Sequence, residues 1–218
     1  MREAGLQFSN SEGTHACGLR SNNRSIAVEI VLASTSKYRR ELLERLGLEF
    51  RCLAPAVDET QFQQQGLDPA TVASLLAIAK AESLIGLAPD AAIIGSDQVV
   101  DLEGELLGKP GSPEGAVAQL QKMAGREHRL ITAVAVWHGY RTRLHIEITK
   151  LQMRQLFRHE IERYVAFDNP VDCAGSYKIE SQGIALFERI ETQDHTSIIG
   201  LPLLETVAML RNCGLQIP

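Results

Sequence analysis

From Ala27 onward, short apolar runs alternate with helix-spaced segments, and this alternation restricts the chain to an α/β architecture. AVEIVLA (27–33) reads as a first strand. SKYRRELLERLG (36–47) sets Leu42, Leu43 and Leu46 at the spacing of one helix face. LEFRCLAP (48–55) reads as a second strand closed by Pro55. A helix is predicted over 70–87, with Asp68 as cap and Pro69 at its first position. AAIIGSDQVV (91–100) reads as a strand interrupted by Gly-Ser-Asp, and DLEGELLGKP (101–110) as a hairpin and loop. Ser112 caps a helix from Pro113 to about Met123. Residues 128–138 and 142–153 flank Gly139-Tyr140 as an antiparallel pair, with Leu144, Ile146 and Ile148 on one face. A short helix over 160–167, a glycine-interrupted stretch over 175–187 and an amphipathic helix over 201–214 complete the chain. The expected fold is one mixed, twisted sheet with helices on both faces, forming two lobes around a cleft.

The turn after the first strand is Ser34-Thr35-Ser36, and the helix behind it opens with Lys37, Arg39 and Arg40. A helix start carries partial positive charge and favours acidic residues, so these cations stand against the ordinary preference. A serine-rich turn from strand to helix, with amides facing outward, is an anion site, and guanidinium groups grip phosphate two-pronged. The competing reading is a solvated face on which the same cations pair with Glu41 or Glu44. No P-loop and no dinucleotide-binding glycine fingerprint is present.

Asp97 places a carboxylate inside an apolar strand, which is costly unless it is paired, hydrogen-bonded or metal-bound. It is the best candidate for a base or metal ligand; the alternative is a carboxylate that ties down a loop. Glu59, in PAVDET, is a second acid near a sheet edge. Lys80 lies in an alanine-rich setting and Lys109 follows the hairpin in GKP; either is also read as merely solvated. Together, two acids that hold a divalent cation or activate water, and cations that neutralise phosphate, suit attack on a phosphoanhydride.

The net charge of −5 argues against general nucleic-acid binding, so a polyanion must meet a local basic site. Cys17, Cys52, Cys173 and Cys213 show no C-x-x-C and suit a reducing compartment. No apolar stretch is long enough to span a membrane. Residues 1–26 are rich in Ser, Asn and Gly and read as a flexible extension of a domain over 27–218. The six histidines lack ligand spacing, and G-x-S-x-G is absent.

LASTSKYRRELL, VDE (57–59), AKA (79–81), SDQVV (96–100), GKP (108–110) and IIGLPL (198–203) occur in that order. This pattern resembles the Maf-like nucleoside triphosphate pyrophosphatases from about residue 28 to the C-terminus. The resemblance implies a Maf/ITPase-like fold and a cytoplasmic hydrolase. It implies cleavage between the α- and β-phosphates of a nucleoside triphosphate, dependent on magnesium or manganese. It further implies Asp97 as proton acceptor and sets the family's serine, second arginine, glutamate and two lysines at Ser34, Arg39, Glu59, Lys80 and Lys109. Joined to the residue reading, this puts the triphosphate on the Ser34–Arg40 turn with Lys80 and Lys109 on its oxygens, and a metal near Glu59 and Asp97. A homodimer is common in similar proteins.

Three positions change together relative to members acting on dTTP and UTP: Tyr38 for an arginine, Gln98 for a threonine and Glu180 for a glutamine. This combination looks like the subgroup acting on 7-methyl-GTP. Methylation at N7 makes guanine cationic, and an aromatic face attracts a cation by about 0.5–2 kcal/mol. A carboxylate at position 180 suits the N1–H and 2-amino donors of guanine and repels the carbonyls of uracil and thymine. Activity on dTTP or UTP, and a regulator that binds nucleotide without hydrolysis, are the alternatives. Leu75, Lys37, Thr196 and Ser197 also depart from the usual pattern.

Overall fold

The computed structural model describes residues 28–63 and 66–217. The proposed extension over 1–26, with Cys17, lies outside the described residues. In chain order the elements are β1 (Ile30–Ala33), α1 (Lys37–Glu44), β2 (Arg51–Leu53), α2 (Thr60–Gln63) and α3 (Pro69–Glu82). They continue with β3 (Ala92–Leu102), β4 (Glu105–Leu107), α4 (Pro113–Met123), β5 (Glu127–His138), β6 (Arg141–Met153) and α5 (Arg158–Asp168). Two 3₁₀ turns, Ala174–Ser176 and Gln182–Leu186, lead to β7 (Phe187–Glu191), α6 (Thr196–Ile199) and α7 (Leu203–Asn212). The strands form one seven-stranded sheet in the order β2-β1-β3-β5-β6-β7, with β4 also paired to β3. β1 is parallel to β2 and β3, and the other pairs are antiparallel, so the sheet is mixed as expected.

Helix starts follow their caps. Ser36 caps α1, Asp68 accepts from the amides of Ala70 and Thr71 with Pro69 behind it, and Ser112 accepts from the amide of Gly115. One face of the sheet carries two apolar clusters. Leu42, Leu43, Ile94, Val136 and Leu210 pack beneath α1 and α7, whereas Val100, Leu130, Leu151, Leu120 and Ile161 pack beneath α4 and α5. Between them runs a polar strip of Ser96, Gln98, Thr132 and Thr149, roofed by α6. α3 covers the opposite face through Val72, Leu76 and Ala77.

Several boundaries differ from the sequence reading. The expected break at Gly-Ser-Asp does not occur; β3 is continuous. Gly95 serves contact rather than a turn: a Cβ there would lie 2.1 Å from the Ala77 carbonyl oxygen, so glycine lets α3 settle directly on the strand. α3 ends at Glu82, short of Leu87. α2, α6 and β7 were not anticipated, because four- and five-residue elements show little periodicity. Leu144, Ile146 and Ile148 do share a face, but Leu144 and Ile148 are about two-fifths exposed, and the buried face carries Glu147, Thr149, Leu151 and Met153.

The register creates the opening that matters. β1 pairs with Ala92–Ile94 at one end of β3, and β4 pairs with Val100–Leu102 at the other. β5 occupies the far edge throughout. Among the described residues, no strand lies against β3 at 96–99 on the near edge. β1 and β4 both end toward this gap, which is the crevice beyond strand carboxyl ends where α/β proteins bind ligands.

Candidate active site

The gap collects the charged residues. Ser34 follows directly from β1; its hydroxyl accepts the Ser36 amide at 3.1 Å, and its own proton stays available to donate. Arg39, in the first turn of α1, donates from Nε to the Gly200 carbonyl oxygen at 2.9 Å. Ser96 Oγ donates to the same carbonyl at 3.0 Å. One loop carbonyl thus fixes the plane of the guanidinium and ties it to β3. Burial lowers the Arg39 pKa, opposed by the nearby carboxylates of Asp97 and Glu59. Arg39 and Asp97 therefore face one site, although α1 and α3 cover opposite faces of the sheet.

Asp97 is 6% exposed and Lys80 is 5% exposed. Lys80 Nζ lies 2.6 Å from Asp97 Oδ1 and 2.7 Å from Glu59 Oε1. A buried ammonium thus bridges two carboxylates, which is the pairing that burial demands. Burial raises the Asp97 pKa, opposed by Lys80 and Arg39. Burial also pushes the Glu59 carboxyl upward, but the hydrogen bond and charge of Lys80, with Lys109 and Arg39, bring it below its ordinary value. Lys109 is exposed on the loop after β4, near enough for its charge to act on Glu59. Asp58 Oδ1 accepts from the Thr60 amide at 3.1 Å and holds the turn that carries Glu59.

Beside this cluster lie the three coordinated positions. Gln98 Nε2 donates toward Thr132 Oγ1 at 2.9 Å, the Ser197 carbonyl at 2.8 Å and the Ile198 carbonyl at 3.1 Å. Thr132 spends its own proton on the Ser197 carbonyl. A flipped amide would set oxygen against these acceptors, so the orientation is determined and Oε1 is the group left for a ligand. The Tyr38 hydroxyl lies 3.3 and 3.4 Å from the two carboxylate oxygens of Asp172. Its pKa is raised by burial, then by Cys173, Asp172 and Glu180, which places Glu180 within electrostatic reach of the tyrosine. Lys37 Nζ stands 4.9 Å from the Tyr38 ring centroid, so the ring face already meets a cation. Burial pushes the Cys173 thiol up to about 12, which keeps it protonated.

Arg40 does not join the cluster. Its Nε bonds Glu44 at 2.9 Å, one turn along α1, and both side chains are exposed. That is the solvated pairing considered for this stretch. Asp172, Thr132 and the α6 loop were missed by sequence reasoning. Asp172 sits in a loop without periodicity, and the Gly200 contribution is a main-chain carbonyl, to which side-chain patterns are blind. Thr196 and Ser197 were noted only as departures. A separate groove of about 630 Å³ between α4 and α5, lined by Val117, Val165, Arg158 and Glu162, contains none of the candidate residues.

No group of three or more His, Cys, Asp or Glu side chains converges among the described residues. Glu59 and Asp97 each give one oxygen to Lys80 and retain a second. Such a pair fits magnesium or manganese, which are commonly held by one or two carboxylates together with substrate phosphate oxygens.

Comparison with known proteins identifies the family. A family model described as "Maf-like protein" matches residues 29–213. A 7-methyl-GTP pyrophosphatase of Bdellovibrio bacteriovorus is 49% identical over 187 residues, covering 86% of this chain and 98% of that protein. Proteins of the same name from Xanthomonas axonopodis pv. citri and Syntrophotalea carbinolica are each 46% identical, covering 87% and 86% of this chain and 98% and 96% of their own lengths. A match spanning both walls of the β3 gap, and relatives aligned nearly end to end, make this chain a member of the Maf-like family.

Proposed function

We infer that this chain hydrolyses 7-methyl-GTP between the α- and β-phosphates, yielding 7-methyl-GMP and diphosphate. The observation that carries the reading is the buried Lys80–Asp97 pair, which the more exposed Glu59 joins, beside Arg39 and at the same crevice edge as Tyr38 and Glu180. The names of the relatives point to the same substrate.

In this reading the triphosphate lies on the Ser34–Arg39 turn. The Lys37 and Tyr38 amides, at the start of α1 and not taken by the Ser36 cap, have no partners within the helix and face the triphosphate oxygens. Arg39, held by Gly200, and Lys109 neutralise charge from opposite sides of the gap. Asp97 accepts a proton from water as the water oxygen bonds to the α-phosphorus, and the bond from that phosphorus to the bridging oxygen breaks, releasing diphosphate. Its raised pKa suits a base, because a more basic carboxylate takes the proton more readily. Lys80 aligns both carboxylates. A divalent cation, when bound, supplies further charge neutralisation on the phosphate oxygens. Tyr38 stacks the cationic base, Glu180 accepts its N1–H and 2-amino protons, and Gln98 offers Oε1.

The test is diphosphate release from 7-methyl-GTP, GTP, dTTP and UTP in parallel, with and without magnesium or manganese. The expected result is metal-dependent release fastest from 7-methyl-GTP; equal or greater release from dTTP or UTP defeats the assignment. Among the described residues Cys52, Cys173 and Cys213 are free thiols, which suits the reducing, cytoplasmic compartment read for this chain. Among the described residues no helix is long and apolar enough to cross a membrane. A homodimer, suggested by similar proteins, is testable by light scattering.

A further inference from the structure

We propose that Asp172 is a further specificity-determining residue, which together with Glu180 sets a negative field that favours a positively charged purine on Tyr38. The inference rests on the 7-methyl-GTP reading above. Methylation at N7 barely alters the size of guanine but gives it a positive charge. Shape therefore separates the methylated nucleotide from GTP weakly, and charge separates it well.

The loop carrying both acids is firmly anchored. Lys178 Nζ donates to the main-chain carbonyls of Asp168 at 2.7 Å and Asn169 at 3.2 Å, at the end of α5. Ser181 Oγ donates to Asp168 Oδ1 at 2.6 Å, and the Lys178 amide donates to the Tyr164 hydroxyl at 2.9 Å. Glu180 is thus pinned on both sides, and Asp172 enters the same loop. Lys178 Nζ also lies 3.9 Å from Asp172 Oδ1, but its short contacts go to the carbonyls.

Asp172 has the geometry of a field-setting group. Its carboxylate stands across both oxygens from the Tyr38 hydroxyl. One hydroxyl proton shared between two oxygens does not discharge a carboxylate. The side chain is about half exposed, so it is no core residue whose ionisation the fold requires. Burial and Cys173 raise the Tyr38 pKa most, and Asp172 and Glu180 add to it, so two acids lie within electrostatic reach of the ring that would receive the base, with the Lys37 ammonium over its face as the opposing charge.

The competing role is mere orientation of the Tyr38 ring. Asp172→Asn separates the two, since it keeps an oxygen for the hydroxyl and removes the charge. The measurement is kcat/KM for 7-methyl-GTP and for GTP at low and raised salt. The variant should lower the 7-methyl-GTP/GTP ratio about threefold to fivefold, the size expected of one partly exposed charge. The change should fall mainly on KM for the methylated nucleotide, and raised salt should shrink the gap between wild type and variant. Asp172→Glu should recover most of the ratio. An unchanged ratio, or an equal loss on both nucleotides, overturns the role of Asp172 while leaving the substrate reading intact. A wild-type protein without preference for the methylated nucleotide overturns both.

Discussion

The ammonium of Lys80 lies 2.6 Å from Oδ1 of Asp97, and both side chains are buried. One comes from α3 and the other from β3, and they meet only because Gly95 allows the helix to rest on the strand. The contact joins the packing of the fold to its chemistry.

Replacing Asp97 by Asn should abolish diphosphate release while leaving nucleotide binding in place. The expected loss in kcat is about 10²–10⁴-fold, the usual contribution of a positioned base. Binding followed by fluorescence or calorimetry should survive; equal turnover by both forms would exclude Asp97 as the base.

Lys80→Met strands two carboxylates, one of them buried. Unfolding free energy should fall by about 3–5 kcal/mol, read from the urea midpoint. Residual activity should carry a diagnostic pH shift. Lys80 holds the Asp97 pKa down against burial, so its removal lets that pKa rise. The base works unprotonated, and the acid limb of kcat/KM therefore moves to higher pH. A limb that stays put would disconnect the two residues.

Glu180→Gln exchanges a two-pronged acceptor for an amide with one acceptor and one donor. The kcat/KM for 7-methyl-GTP should fall by roughly 10-fold or more, and discrimination against UTP and dTTP should shrink. An unaltered order of substrates would remove Glu180 from recognition.

Gly95→Val should cost roughly 2–3 kcal/mol, because the added carbons meet main chain rather than a side chain that can turn aside. Activity should drop further than stability alone predicts, since a displaced α3 carries Lys80 away from Asp97. A variant with wild-type melting and turnover would show that the close approach is dispensable.

His128 gives a stability prediction away from the site. Burial pushes its pKa down from 6.5 to about 4. Between those values the unfolded chain binds a proton that the native state does not, so stability falls as pH drops through that window. The slope is about 1.4 kcal/mol per pH unit at most, and it levels off below. His128→Phe should flatten this stretch of the stability–pH curve; an unchanged slope would assign the acid sensitivity elsewhere.

The alternation of elements, the caps at Asp68 and Ser112 and the Gly139-Tyr140 hairpin are legible in the sequence, because period, capping chemistry and turn residues act over neighbouring positions. The misplaced cations on α1 and the lone carboxylate of β3 are equally visible, since each breaks a local rule. Which of the two arginines turns inward is not local: Arg39 finds Gly200, more than 150 residues along the chain, and Arg40 finds Glu44 one turn away. The same holds for Asp172, an ordinary loop acid until α1 brings Tyr38 against it. Local rules yield the elements and the residues that offend them, whereas only strand order and register, through the gap beside β3, determine which offenders share a site.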